Sequence, residues 1–340
     1  VRIGLALPQY DYSVPGEDPL RWETIARVAQ RAEALGFDSV WLSDHLFLDL
    51  AKYGGSSRRF GAFEPIVTLA ALSRVTHRVR LGTLVLCEAL RPATVLAKAL
   101  ASLDAVSGGR LDVGLGAGWY EPEYEAIAMK MPGPGERLLR LAEVLDVLRG
   151  LLGGGPFTYT GTWQQATAAR NLPPAVQAPH PPLIVGGKGD RLLALAAEKA
   201  DGWNTCWSWT PDDYAARAAV LDAACERIGR DPATITRTLG LTTLVGDSDA
   251  DVARRFDRWR ATGPPGVLDG QELDDWRGGR LVGTVEEVRE QVAGWARLGV
   301  AEIIVGLGPV PFSLIAEDDI EALVEALVPA ASKIREGTLD

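Results

Sequence analysis

The chain has 340 residues, 47% hydrophobic and 24% charged, a composition that fits a soluble globular protein with a large core and little disorder. Its formal charge is −10, from 45 acidic against 35 basic residues, and no basic run could follow a phosphodiester backbone, so nucleic acid is excluded as the expected partner. Cys87, Cys206 and Cys225 are the cysteines; without CxxC spacing they indicate neither a disulfide framework nor a zinc site, and a reducing cytoplasm is the expected compartment.

The first residues, from Val1 to Leu5, lack the regions of a signal peptide, and no apolar run approaches the length of a membrane span, so export and membrane association are not expected. Residues 2–8 form a short apolar run, and apolar residues then recur at helical spacing over 20–35 until Gly36. The same strand-then-helix unit repeats at 38–42 with 65–75, at 79–86 with 92–106, and at 110–116 with 137–152. The second half continues with 182–185 and 191–199, 202–204 and 211–228, 237–245 and 250–261, and 302–305 with 320–334; a further helix at 285–298 enters before the last strand.

Eight apolar strands, each followed by an amphipathic helix, predict a parallel sheet covered on both faces. The economical form is a (β/α)₈ TIM barrel, one domain over 1–340. An open doubly wound sheet is the structural rival, but its glycine-rich nucleotide turn is missing after the first strand, where Pro8, Gln9 and Tyr10 stand. Three segments are too long for ordinary connections: 49–63, 153–181 and 263–283. Each reads as an insertion near the site or a disordered loop; 49–63 and 263–283 are expected to form a lid over the C-terminal mouth, and 157–159 to pair with 163–164 as a hairpin.

In such a barrel the chemistry sits just past the strand ends. Asp44 and His45 follow the second strand, where a histidine can shuttle a proton and a neighbouring carboxylate can fix its tautomer; alternatively Asp44 caps a turn and His45 packs. His77 and His180 lie in polar or proline-rich turns and read as surface residues, so a three-histidine metal site is not expected. Gly186, Gly187 and Lys188 precede a helix, and small residues there let backbone N–H groups approach a phosphate, with Lys188 as an ionic contact; a tight βα turn explains the same residues. Gly116, Ala117 and Gly118 end the fourth strand with little side chain before Trp119 and Tyr120, a surface for a planar cofactor or simply core aromatics.

Taken together and in order, the run from Leu35 to His45, the strand Arg80 to Leu86, the segment Leu103 to Leu111, the glycines from Gly114 to Trp119, Val185-Gly186-Gly187 and Ala200 to Asn204 carry a resemblance. Over nearly its whole length the chain resembles the bacterial luciferase-like superfamily, and more closely its coenzyme F420-dependent branch. That resemblance implies a cofactor ring stacked on a third-strand bulge at Leu84 and Val85, with a non-prolyl cis peptide between them. It also implies contacts from Gly116, Ala117, Gly118, Trp119 and Trp203, a phosphate on Gly186, Gly187 and Lys188, and His45 near the reactive centre.

The reaction implied is hydride transfer between the deazaflavin and a small organic substrate, with Asp44 and His45 handling the proton, and the assembly implied is a homodimer. FMN-dependent monooxygenation on the same barrel is the first rival reading, and a non-catalytic flavin or deazaflavin carrier the second. Two positions depart from the family's sugar-phosphate dehydrogenases: Trp119 replaces their catalytic glutamate and Asp49 their tryptophan. Glu121, Glu123 and Tyr124 are the nearby residues able to stand in for the glutamate, or else a solvated loop.

Overall fold

The barrel strands are β1 (Arg2–Ala6), β2 (Ser39–Leu42), β3 (Arg80–Thr83), β4 (Leu111–Gly116), β5 (Leu183–Gly186), β6 (Gly202–Trp207), β7 (Thr236–Gly246) and β8 (Glu302–Gly306). In this computed structural model, which describes the backbone of residues 1–335 and the side chains to Leu327, each strand pairs in parallel with the next and β8 closes on β1 through Arg2↔Glu302 to Leu5↔Val305. The chain is therefore a closed (β/α)₈ barrel. Every residue of β2, β4 and β8 is buried, because helices cover the outside and side chains fill the inside.

The helices bury one stripe each against the strands. In Trp22–Ala34 the stripe is Thr24, Ile25, Val28, Ala29 and Ala32, the spacing of one helical face. Their starts are fixed locally: Glu64 caps Pro65–Val75 by accepting from the Val67 N–H, and Thr284 and Glu287 form a reciprocal capping box on Val285–Arg297. Among the described residues no helix is long and apolar enough to cross a membrane.

The long connections do three different things. Residues 49–63 lie at the mouth, framed by a short antiparallel pair of Phe47–Leu48 with Phe60–Gly61 and carrying a 3₁₀ turn at Ala51–Tyr53. Residues 263–283 brace that insertion from behind, with Gly266 close against Gly54 and Val267 against Gly55. They end in a short strand, Leu281–Thr284, that adds in parallel to β7 and was not expected from the sequence. Residues 153–181 stay away from the mouth: their hairpin, Phe157–Thr160 with Gln165–Ala169, is held by Glu143 of the helix Pro134–Leu152, and Asn171 bonds the Ala97 carbonyl of Ala93–Ser107.

The mouth itself is shaped by a break in the third strand. β3 ends at Thr83, the Leu84–Val85 peptide is cis, and pairing with β4 resumes at Leu86–Cys87. Val85 turns into space that three glycines leave open. A Cβ built on Gly116 would lie 2.7 Å from Val85 Cγ2, one on Gly186 2.9 Å from Cγ1, and one on Gly114 2.8 Å from Cγ1 and 2.0 Å from the Thr83 carbonyl oxygen.

These contacts separate two substitutions. Gly116→Ala is expected to destabilise the fold by about 2 kcal/mol in urea unfolding, as overpacking does, and adding Val85→Ala should restore most of that. Gly114→Ala should cost at least as much and resist the same rescue, because its obstacle is backbone. Equal rescue at both positions would contradict this packing.

Candidate active site

A cavity of about 470 Å³ opens at the C-terminal mouth, a size within the usual range of about 300–1,000 Å³ for small-molecule sites. Its lining includes Leu84 and Val85, the glycine run Gly116, Ala117, Gly118 with Trp119, the turn Gly186, Gly187, Lys188, and Ser43, Asp44 and His45 after β2. The structure thus brings together nearly all the residues singled out in the sequence. Of the expected catalytic and cofactor-binding residues, Trp203 lies outside the lining: it is fully buried, and its indole N–H donates to the Gly187 carbonyl at 2.7 Å. Its place is behind the turn that faces the cavity.

His45 is held on one side only. Its Nδ1 lies 2.8 Å from Glu123 Oε2, while Glu123 Oε1 accepts the Leu46 N–H at 2.5 Å. Glu123 is buried, so both of its oxygens are committed to the segment that carries the histidine. Trp119 and Tyr120 meet the imidazole edge-on, at 5.7 and 6.1 Å between ring centres. With Nδ1 engaged, Nε2 is the nitrogen left for a ligand in the cavity. Of the three nearby residues considered for the missing glutamate, Glu123 contacts His45, Tyr124 packs against Cys87, and Glu121 is exposed.

Asp44 does other work than the proton transfer expected of it. Its carboxylate receives both terminal nitrogens of Arg91, at 2.7 and 2.9 Å, and the Cys87 N–H at 2.8 Å. Arg91 also reaches Glu64 at 2.5 Å, the cap of the helix Pro65–Val75. A carboxylate with both oxygens in a bidentate guanidinium pair is a poor proton carrier and a good clamp. It ties the end of β2 to the strand that resumes after Val85. Arg91 carried no signal in the sequence, being one arginine among many in a turn.

The turn expected to meet a phosphate has one fewer free donor than its sequence suggests. Gly187, at φ +141°, donates its N–H to the Asn204 carbonyl at 3.0 Å, so that donor is already committed. The helix Asp190–Lys199 starts at Gly189 without a side-chain cap, which leaves its first backbone N–H groups for an anion, with exposed Lys188 beside them.

Other features were not foreseen. His180 is buried, with Nδ1 2.9 Å from the Pro181 carbonyl and 3.7 Å from Asp201, rather than on the surface; His77 is exposed as expected. The Tyr10 hydroxyl lies 2.5 Å from Ser43 Oγ, and burial pushes its ionisation far above the ordinary tyrosine range. The Cys206–Trp207 peptide at the end of β6 is cis, and both residues line the cavity. Glu88, next to Cys87, is buried with Oε1 unpartnered; burial pushes its carboxyl up to about 7 although Arg140 and Arg137 oppose the shift.

The mouth thus combines a side-chain-poor wall, a bulged floor and an uncapped helix start around one cavity. The family model for luciferase-like monooxygenases matches residues 5–302, and the chain belongs to that family. It is 31% identical over 315 residues to the F420-dependent hydroxymycolic acid dehydrogenase of Mycobacterium tuberculosis, covering 90% of this chain and 82% of that protein. It is also 31% identical over 244 residues to pyrimidine monooxygenase RutA of Escherichia coli, covering 69% of each. The structure of an F420-dependent secondary alcohol dehydrogenase in complex with an F420-acetone adduct superposes with a TM-score of 0.78 at 20% identity, covering 97% of this chain and 98% of that one, a likeness of fold.

Glu88 supplies a pH test. Its carboxyl titrates higher folded than unfolded, so the native state binds the extra proton and stability falls as pH rises from the unfolded carboxylate range through about 7. Glu88→Gln removes that dependence. Its stability advantage over the wild type should grow by about 2 kcal/mol between roughly pH 5 and pH 8 in urea unfolding. A constant difference across that interval would show that Glu88 is not a buried acid.

Proposed function

We propose that the protein is a coenzyme F420-dependent oxidoreductase, a one-domain barrel that exchanges a hydride with a small organic substrate. The observation that carries this reading is the His45–Glu123 pair facing a cavity whose floor is Leu84 and Val85. Leu84, Val85, Gly116, Ala117, Gly118 and Trp119 would hold the ring system, and Lys188 with the free backbone N–H groups of the following helix start would hold its phosphate, Gly186 and Gly187 giving it room to approach. When bound, the deazaflavin supplies the hydride donor or acceptor. The kinship with F420-dependent hydroxymycolic acid dehydrogenase over 90% of the chain supports F420 over FMN.

The chain's own part is proton handling and positioning. In the oxidative direction His45 Nε2 takes the proton of a substrate hydroxyl while hydride leaves the adjacent carbon; in the reductive direction it returns that proton to the carbonyl oxygen. Glu123 keeps Nδ1 protonated and stabilises the imidazolium that forms, much as a carboxylate does for the histidine of a hydrolase triad. Trp119, Tyr120, Trp207 and Phe312 wall the cavity and limit water. The resemblance also implies a homodimer. FMN-dependent monooxygenation is the second reading, favoured by the RutA relatives.

Anaerobic mixing with F420 and a panel of alcohols and carbonyl compounds tests the proposal. The wild type should turn F420 over, His45→Asn should lower kcat by about 10²-fold or more, and Glu123→Gln by about tenfold, without comparable loss of cofactor affinity. Oxygen-dependent turnover with FMN, and none with F420, would overturn it.

A further inference from the structure

The cavity holds a cation that the cofactor does not account for. Lys52, exposed on the 3₁₀ turn Ala51–Tyr53 of the first insertion, lines the cavity from its solvent side, with Nζ 4.2 Å from the centre of the Trp119 ring. The turn is fixed from several sides. The Tyr120 hydroxyl donates to Asp49, the other Asp49 oxygen accepts the Ala51 N–H at 2.9 Å, the Leu50 N–H bonds the Ser56 carbonyl, and the second insertion packs against Gly54 and Gly55. Lys52 is therefore presented by a built loop.

Its charge has no counter-ion among the described residues. The carboxylates nearest to hand are engaged elsewhere: Asp49 with Tyr120 and the Ala51 N–H, Glu123 with His45 and the Leu46 N–H, and Asp44 with Arg91. The other lysine of the lining, Lys188, belongs to the phosphate turn. The rings shown beside the Lys52 ammonium are those of Trp119 and Tyr53, 4.2 and 5.8 Å from it, and Trp207 and Phe312 line the same cavity. An ammonium resting on an indole face keeps a weak cation–π contact and can turn to a better partner.

We propose that the substrate is an organic monoanion, a carboxylate on an apolar skeleton, and that Lys52 is the residue that selects it. One lysine beside two aromatic rings matches a single negative charge; a phosphoryl group calls for several donors or an arginine fork. The apolar skeleton would lie along Trp207 and Phe312, leaving the reacting carbon to His45. The proposal rests on the reading of this cavity as the substrate site, and it deepens that reading by naming the substrate class.

Calorimetric titration of the full chain without cofactor tests it and keeps it separate from the choice between F420 and FMN. The probes are 3-phenylpropanoate and its uncharged amide, 3-phenylpropanamide. The wild type should bind the carboxylate at least tenfold more tightly, with a preference that shrinks as salt is raised. Lys52→Met should bring the two within about twofold, and Lys52→Arg should keep most of the preference. Equal binding or no binding of the two probes by the wild type, or a preference that survives Lys52→Met, overturns the proposal.

Discussion

The site depends on one packing constraint: Val85 fills the space that Gly114, Gly116 and Gly186 leave open at the top of β3, β4 and β5. A methyl on any of the three would enter its van der Waals shell, so the bulge and the glycines specify one another. Because the strand is displaced there, its pairing restarts at Leu86–Cys87, which brings the Cys87 N–H to Asp44. The floor of the cavity, the end of β2 and the glycine turn after β5 are thereby set by one contact region.

Two carboxylates then divide the labour around His45. Asp44, paired with Arg91 and buried, holds the segment in place, and the Arg91 contact with Glu64 extends the clamp to the helix Pro65–Val75. Breaking such a pair would strand a charge in the interior, typically at a cost of about 3–5 kcal/mol, which makes it a structural anchor. Glu123 acts on the imidazole directly and leaves one ring nitrogen to the cavity. The aromatic residues and Lys52 complete the side where a substrate would lie.

The barrel was legible because its signal is local and repeated. Each apolar run and each helical stripe lies within one stretch of chain, and all eight strands fall where the alternation predicts them. The added strand Leu281–Thr284 was not legible, since its four residues close an irregular insertion and form a strand only by pairing with β7. Within the site, strand-end position singled out Asp44 and His45, yet their roles depend on Arg91, 47 residues beyond Asp44, and on Glu123, 78 residues beyond His45. No spacing rule reports contacts at that separation. Trp203 and His180 show the same limit: a residue next to a strand end can face the cavity or turn behind it, and a proline-rich turn can be buried.

Cofactor affinity is where the proposed deazaflavin site can be put to the test. Parallel calorimetric titrations of the purified chain with F420 and with FMN test it most directly. F420 should bind at least tenfold more tightly than FMN, and Gly186→Ala, which drives a methyl toward Val85, should weaken F420 binding. FMN binding as tight as or tighter than F420, or F420 binding unaffected by Gly186→Ala, would contradict it.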